Sequence, residues 1–303
     1  MTYSTNFLKS QSNTGKQKQE EESLSEDDLD EFLTSLPKVK GWRTPNLFLF
    51  QGYWCQPKVV LAIISTQKHF KAQDTDQILA TIPKSGTIWL KALAFAIVNQ
   101  KKFSYNLYTY CKNLPDLSLL PSPRLVATHV PLGPVPNSVK TSKCKVVYIC
   151  RNPFDTFVSI WHYLSKIRPE TMGPLRFEGA FDLYCRGIIG FGPYWDHMLR
   201  YWRETLATPN KVLFLKYEDM KLDVCNQLKK LGEFWGFPFM EEEENEGTIQ
   251  DISNLCSFQN TKELKVNKKG KGGISNYENR DLFRKGDIGD WVNYFTPPIS
   301  ERL

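Results

Sequence analysis

The stretch from Asp76 to Trp89 reads DQILATIPKSGTIW and is the most informative part of the sequence. Its first part, Asp76–Ile82, is mostly apolar and short, which predicts a buried strand. A Pro-Lys-Ser-Gly-Thr turn follows, and the apolar run that begins at Trp89 is typical of a helix. A strand that leads through a tight turn into a helix directs several backbone N–H groups, and the positive end of the helix dipole, at one point. The stretch therefore predicts an anion site.

The side chains of the turn fit a phosphate as the anion. Lys84 adds a cation, and Ser85 and Thr87 add hydroxyl donors. The turn is not a Walker A loop, because Pro83 and Ile78 stand where that motif requires glycine. A nucleotide kinase is therefore disfavoured.

A second anion site is predicted after the apolar run Lys145–Cys150, which reads KVVYIC and is followed by Arg151. A Walker-type magnesium site would have an aspartate at the end of this strand. An arginine attracts a second anionic group and repels a metal ion. The two sites together predict a ligand with two phosphate clusters that is bound without magnesium.

Three motifs resemble those of the cytosolic sulfotransferases, most closely the plant members. Pro83–Trp89 (PKSGTIW) resembles the 5′-phosphosulfate loop of the family, and Tyr148–Tyr163 (YICRNPFDTFVSIWHY) resembles its 3′-phosphate segment. Phe283–Pro297 (FRKGDIGDWVNYFTP) resembles its C-terminal RKGxxGDW signature. Further similar segments occur in family order at Thr128–Pro131, Gly192–Trp202 and Val212–Asp219. The resemblance runs from about Leu36 to the end of the chain.

Strand and helix patterns alternate along the chain and predict an α/β fold. Apolar strands are expected at Gln77–Ile82, Leu125–Thr128, Lys145–Cys150 and Lys211–Lys216, and helices at Trp89–Lys102, Pro153–Ile167 and Asp219–Trp235. Near-continuous apolar strands predict a single domain with a central parallel sheet and helices on both faces. The resemblance implies the P-loop-kinase-like sulfotransferase fold.

The chain of 303 residues shows no linker, so we expect one folded domain. Residues 1–23 are polar and predict a disordered tail. A capping box at Ser25-x-x-Asp28 then opens a helix. Residues 24–303 form the expected sulfotransferase domain, and the resemblance implies that the final helix of the family is truncated in it. Asn267–Arg280 is rich in Gly and Lys and predicts a mobile loop.

Composition indicates a cytoplasmic enzyme without metal. The N-terminus lacks an apolar signal core, and the longest apolar run, Leu93–Val98, is too short to cross a bilayer. Seven cysteines without a C-x-x-C pair predict reduced thiols in the cytosol. The four histidines are not spaced as metal ligands. A net charge of +6 comes without a recognisable nucleic-acid motif, which favours a small polyanion as ligand.

The resemblance implies a sulfotransferase that uses 3′-phosphoadenosine 5′-phosphosulfate (PAPS) to sulfate a hydroxyl group of a small acceptor. His129, in the sequence THVP, matches the family's catalytic base, and Lys84 matches the lysine at the phosphosulfate bridge. We expect His69, His162 and His197 to be structural. The residues that the resemblance places at the nucleotide are Lys84, Ser85, Gly86, Thr87, Ile88, Trp89, Arg151, Ser159, Tyr217, Phe258, Arg284, Lys285 and Gly286.

Three departures from the family pattern suggest an alternative, a catalytically impaired relative that binds PAPS or its product PAP. Ile88 replaces a threonine that donates to the 5′-phosphate, Lys102–Asp116 is short, and the chain stops at Leu303. The sequence leaves the acceptor open among flavonoids, hydroxyjasmonate, steroids and desulfoglucosinolates. It predicts no membrane or nucleic-acid partner and leaves the oligomeric state open.

Overall fold

The computed structural model describes residues 26–99, 106–108, 120, 122–271 and 277–303. The chain divides into two units, Met1–Ser35 and Leu36–Leu303. The described part of the first unit is helix α1 (Glu26–Ser35). The predicted tail and Ser25 of the capping box lie outside the described residues. The second unit contains the motifs that carry the resemblance.

A five-stranded sheet forms the centre of the second unit. The strands are β4 (Gln77–Thr81), β5 (Asn106–Tyr108), β6 (Leu125–Thr128), β7 (Lys145–Cys150) and β8 (Val212–Lys216). Their order in the sheet is β5-β6-β4-β7-β8, and all neighbouring strands are parallel. The predicted parallel sheet is confirmed. Strand β4 ends one residue earlier than expected, and β8 begins one residue later. A small antiparallel sheet precedes it, with strands β1 (Lys38–Lys40), β2 (Asn46–Phe50) and β3 (Tyr53–Cys55).

Helices surround the sheet. They are α2 (Pro57–His69), α3 (Thr87–Asn99), α4 (Asn137–Thr141), α5 (Pro153–Ile167), α6 (Phe177–Cys185), α7 (Tyr194–Ala207), α8 (Tyr217–Leu222), α9 (Val224–Trp235), α10 (Glu241–Asn245), α11 (Thr248–Leu255), α12 (Phe258–Glu263), α13 (Lys265–Lys269) and α14 (Pro297–Ser300). Short 3-10 helices lie at Glu170–Met172, Asn279–Leu282 and Asp290–Asn293. Among the described residues, no helix is both long and apolar enough to span a bilayer.

Alternate residues of the strands enter two separate cores, one on each face of the sheet. Leu79 of β4 packs with Leu93 of α3 and with buried side chains of α9 and α11. Its neighbour Ile78 packs on the other face, with Val139 of α4 and Tyr201 of α7. Full burial of such an aliphatic side chain stabilises the fold by about 1.5–3 kcal/mol relative to its exposure. The expected helices on both faces are confirmed.

Two helix predictions need correction. Helix α3 begins at Thr87, two residues before the expected start, and residues 100–102 lie outside the described residues. The single helix expected over Asp219–Trp235 is two helices, α8 and α9. The break falls at Asp223, whose side chain accepts a hydrogen bond from the backbone N–H of Asn226 at 3.0 Å and so caps the second helix.

The segments that showed departures or high glycine content are described only in part. Of the short segment Lys102–Asp116, the structure describes β5 alone. The predicted mobile loop Asn267–Arg280 includes the end of α13 and the start of a 3-10 helix, and residues 272–276 lie outside the described ranges.

The topology brings the predicted site residues to one edge of the sheet. Strand β4 lies between β6 and β7, and the three strands are parallel. The turn with Lys84 follows β4, His129 follows β6, and Arg151 follows β7. Ligands of open α/β sheets bind at the carboxyl ends of the strands, where the connections diverge to either side. This edge is therefore the candidate site.

Candidate active site at the carboxyl edge of the sheet

The backbone of the turn between β4 and α3 requires glycine at position 86. Gly86 has φ +103°. A Cβ atom added there would lie 2.8 Å from Cδ2 of the Tyr217 ring, which is closer than such contacts allow. The helix begins at the next residue, and the backbone N–H of Leu90 donates to the Gly86 carbonyl at 2.9 Å. The open N–H groups of the first turn of α3 therefore face the loop, as an anion site requires.

The cleft is the region where the turn after β4, the end of β7 and residues 282–287 meet. Lys84 lies there and contacts two distant parts of the chain. Its Nζ donates to the carbonyl of Leu282 at 2.7 Å and lies 4.7 Å from the centre of the Tyr163 ring. Burial, and then the charges of Arg151 and Arg284, lower the pKa of Lys84 to about 7. A cluster of cations with so little counter-charge favours binding of an anion.

Four buried donors in the cleft have no hydrogen-bond partner within the described part of the chain. They are Ser85 Oγ, Trp89 Nε1, Arg151 Nε and Arg284 Nε. Ser85 is fully buried, and Arg151 is 5% exposed. A buried polar group without a partner costs about 1–3 kcal/mol. These donors fit a ligand with several anionic oxygens.

An aromatic and cationic cluster connects the loop to the end of β7. The guanidinium of Arg151 lies 4.6 Å from the centre of the Tyr217 ring, and its Nη2 donates to the Asp287 carbonyl at 2.6 Å. The Tyr217 hydroxyl donates to the Gly286 carbonyl at 2.6 Å. Trp89 packs edge-on against the same tyrosine ring, with 5.5 Å between ring centres. Trp89, Arg151 and Tyr217 thus lie together.

The RKG segment carries two cations that share one carboxylate. Arg284 Nη1 and Lys285 Nζ both donate to Asp290, the lysine at 2.6 Å. Burial raises the pKa of Asp290, but the hydrogen bonds from Lys285 and Arg284 outweigh it and lower the pKa to about 2. The cluster therefore keeps a net positive charge at neutral pH.

Asp155, in the first turn of α5, fixes this segment against that helix. Its buried carboxylate accepts the backbone N–H groups of Gly289 at 2.7 Å and of Trp291 at 3.0 Å. The sequence analysis did not single out this residue. An acidic residue in the first turn of a helix is commonly explained by the helix dipole, so its sequence position gave no signal of a contact 134 residues away.

The remaining predicted nucleotide residues lie around the same cleft. Phe258 packs edge-on against Phe283 with 5.7 Å between ring centres. A Cβ atom added at Gly286 would lie 2.6 Å from Cδ2 of the Phe258 ring. Ser159 is buried on α5, two turns beyond Arg151. Ile88 is partly buried in the first turn of α3. The described residues include no group of three His, Cys, Asp or Glu side chains that could hold a metal ion.

His129 has a geometry that fixes its tautomer. Its Nδ1 lies 2.8 Å from the carbonyl oxygen of Thr81 and 3.0 Å from the Thr81 hydroxyl. Because a carbonyl oxygen only accepts, Nδ1 carries the proton and Nε2 has the free lone pair. Burial lowers the pKa of His129 to about 4, the bond to Thr81 opposes this shift, and the charge of Lys91 adds to it. The ring is therefore neutral at pH 7 and can accept a proton at Nε2.

The Thr81 hydroxyl extends this contact to the start of α3, because it lies 2.8 Å from the hydroxyl of Thr87. Thr81 is the last residue of β4 and was not predicted as a site residue. Its role depends on the pairing of β4 with β6, which the local sequence does not reveal.

A small pocket opens beside His129 on the side of α2. Its lining is mostly apolar and consists of Val59, Ala62, Ile63, Thr66, Thr128, His129, Val130 and Phe191. The Phe191 ring lies 5.5 Å from the His129 ring, centre to centre. Phe191 has φ +68°, which is unusual for a residue with a side chain, and its N–H donates to the Trp54 carbonyl at 2.7 Å. Sequence reasoning missed Phe191 as a wall of this pocket.

Comparison with known proteins agrees with the geometry. Residues 74–303 match the sulfotransferase domain family. Cytosolic sulfotransferase 15 of Arabidopsis thaliana is 51% identical, and the alignment covers 94% of this chain and 85% of the relative. Cytosolic sulfotransferase 14 of the same plant is 53% identical, with 94% of this chain and 88% of the relative covered. Their names agree with the expected cytosolic location.

A solved structure extends the likeness to the fold. Mouse sulfotransferase SULT7A1, crystallised with PAP, superposes with a TM-score of 0.70 at 29% identity, covering 84% of this chain and 90% of the mouse chain. The alternative of an impaired relative gains no support from these comparisons. The chain belongs to the sulfotransferase family and is a sulfotransferase enzyme.

Proposed function

We propose that this enzyme transfers the sulfuryl group of PAPS to a hydroxyl group of a small acceptor, with His129 as the general base. The observation that carries the proposal is the junction at Thr81. This residue holds the Nδ1 of His129 on one side and the start of α3 on the other. A proton acceptor and an anion loop therefore meet at the end of one strand.

The fit of PAPS rests on the unpartnered donors of the cleft. Ser85, Lys84 and the N–H groups at the start of α3 would hold the 5′-phosphosulfate. Arg151, Ser159 and the segment Arg284–Gly286 would hold the 3′-phosphate. Trp89, Tyr217 and Phe258 would enclose the adenine, and Thr87 and Ile88 complete the loop. When bound, PAPS supplies the sulfuryl group and needs no metal at this site.

The residues of the chain supply a base, a positive charge and a fixed geometry. His129 takes the proton of the acceptor hydroxyl at Nε2, because its Nδ1 is already committed to Thr81. Lys84 brings a positive charge to the turn and stabilises the negative charge that grows on the leaving side. Displacements of this type depend mostly on positioning and charge neutralisation. Adjacent parallel strands that end at one edge of a rigid sheet are suited to both.

The apolar side chains beside His129 favour a partly apolar acceptor. The wall of the pocket consists mainly of aliphatic side chains of α2 and the ring of Phe191. Apolar walls with few polar groups are typical of sites for small organic molecules. We therefore propose that the acceptor presents its hydroxyl to His129 and packs its carbon skeleton against α2.

His129→Ala tests the proposal. Loss of a general base lowers turnover by about 10²–10⁴-fold, whereas nucleotide affinity stays near that of the parent. Transfer from labelled PAPS to a panel of hydroxylated acceptors measures the first quantity, and calorimetric titration with PAP measures the second. Normal turnover, or a defect confined to nucleotide binding, would refute the role of His129.

A further inference from the structure

Two side chains of α7 hold the backbone that carries His129. The Nε2 of His197 lies 3.1 Å from the carbonyl oxygen of His129. One turn further along α7, the Tyr201 hydroxyl donates to the Val130 carbonyl at 2.9 Å. Both side chains are buried, at 0% and 1% exposure. Consecutive carbonyl groups after β6 are therefore fixed by one helix.

The hydrogen bonds of His197 run in one direction. A carbonyl oxygen accepts only, so Nε2 of His197 carries the proton, and Nδ1 has the lone pair. The Tyr148 hydroxyl lies 3.0 Å from that Nδ1 and donates to it. Burial lowers the pKa of His197 to about 4 and raises the pKa of Tyr148 well above its usual value. Both groups are thus neutral at pH 7, and the direction of the two bonds is fixed.

We propose that Tyr148 and His197 are positioning residues for sulfuryl transfer, because they set the orientation of His129 through its backbone carbonyl. The proposal rests on the proposed role of His129 as general base. Thr81 fixes the ring of His129 at Nδ1, and His197 fixes the backbone of the same residue. With both ends held, the free Nε2 points in one direction.

The position of Tyr148 adds a second consequence. It lies on β7, three residues before Arg151, so the strand that leads to the anion cleft also holds the base. The Tyr148 ring stacks on Tyr201, with 4.3 Å between centres and 13° between planes. A displacement of β7 would therefore move the base together with the residue proposed to bind the 3′-phosphate.

Tyr148→Phe is the sharpest test, because it removes one oxygen atom and keeps the ring. Without its donor, the Nδ1 of His197 can take the proton, and a lone pair at Nε2 would then face the His129 carbonyl. We expect kcat to fall about tenfold or more, because small errors in the placement of reacting groups are costly. PAP affinity should stay within about twofold, since the bonds lost do not reach the cleft.

Tyr53→Phe is the matched control. The Tyr53 ring packs edge-on against His197 at 6.5 Å, and its buried hydroxyl has no hydrogen-bond partner among the described residues. We expect kcat and PAP affinity of this variant to match the parent. Each variant is assayed at the same interval below its own melting temperature, and the parent enzyme is assayed at the same temperatures for comparison. A general loss of stability then does not mimic the effect.

Nitrogen-15 NMR of the four histidines gives a readout that packing alone would not change. His197 should show the Nε2–H tautomer in the parent and in Tyr53→Phe, and a mixture in Tyr148→Phe. If Tyr148→Phe fails to fold, His197→Gln should retain more turnover than His197→Leu, because its amide can still donate to the carbonyl.

The outcomes separate this proposal from the proposed function. Equal kcat for Tyr148→Phe and Tyr53→Phe, with His129→Ala inactive, would overturn the positioning role alone. Equal turnover of His197→Gln and His197→Leu would do the same. Normal turnover of His129→Ala would overturn the general base, whatever the tyrosine variants show.

Discussion

Nucleotide binding should take up a proton at Lys84, and the effect can be calculated from the structure. Burial and the charges of Arg151 and Arg284 lower the pKa of Lys84 to about 7. A bound phosphate adds negative charge beside the amine and raises this pKa. Binding is therefore strongest below pH 7 and weakens as the pH rises through 7 toward the pKa of the complex.

The magnitude follows from the protonated fraction of the free enzyme. About half of the Lys84 amines carry a proton at pH 7 and about a tenth at pH 8. PAP affinity should thus fall about fivefold between pH 7 and pH 8, and by up to about tenfold over the next unit. At pH 8, binding should take up about 0.9 proton per ligand. The phosphates add little, because their second pKa is about 6.

Calorimetric titration with PAP in buffers of different ionisation enthalpy measures this uptake directly. Lys84→Arg should abolish it, because a guanidinium is always protonated. Lys91→Arg is the control, since burial also lowers the pKa of Lys91 to about 7 but the proposal gives it no contact with nucleotide. The reasoning fails if wild-type enzyme takes up no proton at pH 8, or if Lys84→Arg keeps the uptake and Lys91→Arg loses it.

Three further predictions concern the nucleotide. Arg151→Met should lower PAP affinity about tenfold or more, since a charge-assisted hydrogen bond contributes about 1.5–3 kcal/mol. The variant should also lose discrimination against an analogue without the 3′-phosphate. Equal affinity of the parent enzyme for the two nucleotides would contradict this. Gly86→Ala should weaken PAP binding by calorimetry, because its Cβ would collide with Tyr217, whereas Gly236→Ala, also at positive φ but in open space, should not. Ile88→Thr should tighten binding by at most about 1.5–3 kcal/mol if its side chain faces the phosphate, and an unchanged Kd would place it toward the core.

The local parts of the fold and site could be predicted from sequence. The strand, turn and helix around Lys84 are adjacent in the chain, and their apolar runs and turn residues determine them directly. The same holds for Arg151, which follows an apolar strand and precedes a proline at the first position of α5. Parallel pairing of these strands then places both residues at one edge.

Contacts between distant residues could not be predicted in this way. The bond from His129 to Thr81 spans 48 residues and depends on the register of β6 against β4. Lys84 and Leu282 are 198 residues apart. The break between α8 and α9 was missed for a different reason. A helical pattern continues through Asp223, and only the capping bond of its side chain shows that a new helix begins there.

The C-terminal motif shows why sequence identifies such a site only in part. Arg151 and Tyr217 donate to backbone carbonyls of this motif, at Asp287 and Gly286, and Lys84 donates to the carbonyl of Leu282 directly before it. Bonds to carbonyl groups do not depend on the side chains of the acceptor residues, so they leave no trace in the sequence of the motif.

The sequence of the motif does indicate the positions at which particular side chains are needed. Arg284 and Lys285 bond to Asp290 within the same segment, and glycine is needed at 286 because a Cβ atom would collide with Phe258. Asp290 thus positions the two cations within the segment, and Arg151 and Tyr217 bind its backbone carbonyls. We therefore expect the proposed 3′-phosphate site to form only when this segment is held against α5. Variants of Asp155, which binds its N–H groups, should therefore weaken nucleotide binding without contacting the nucleotide.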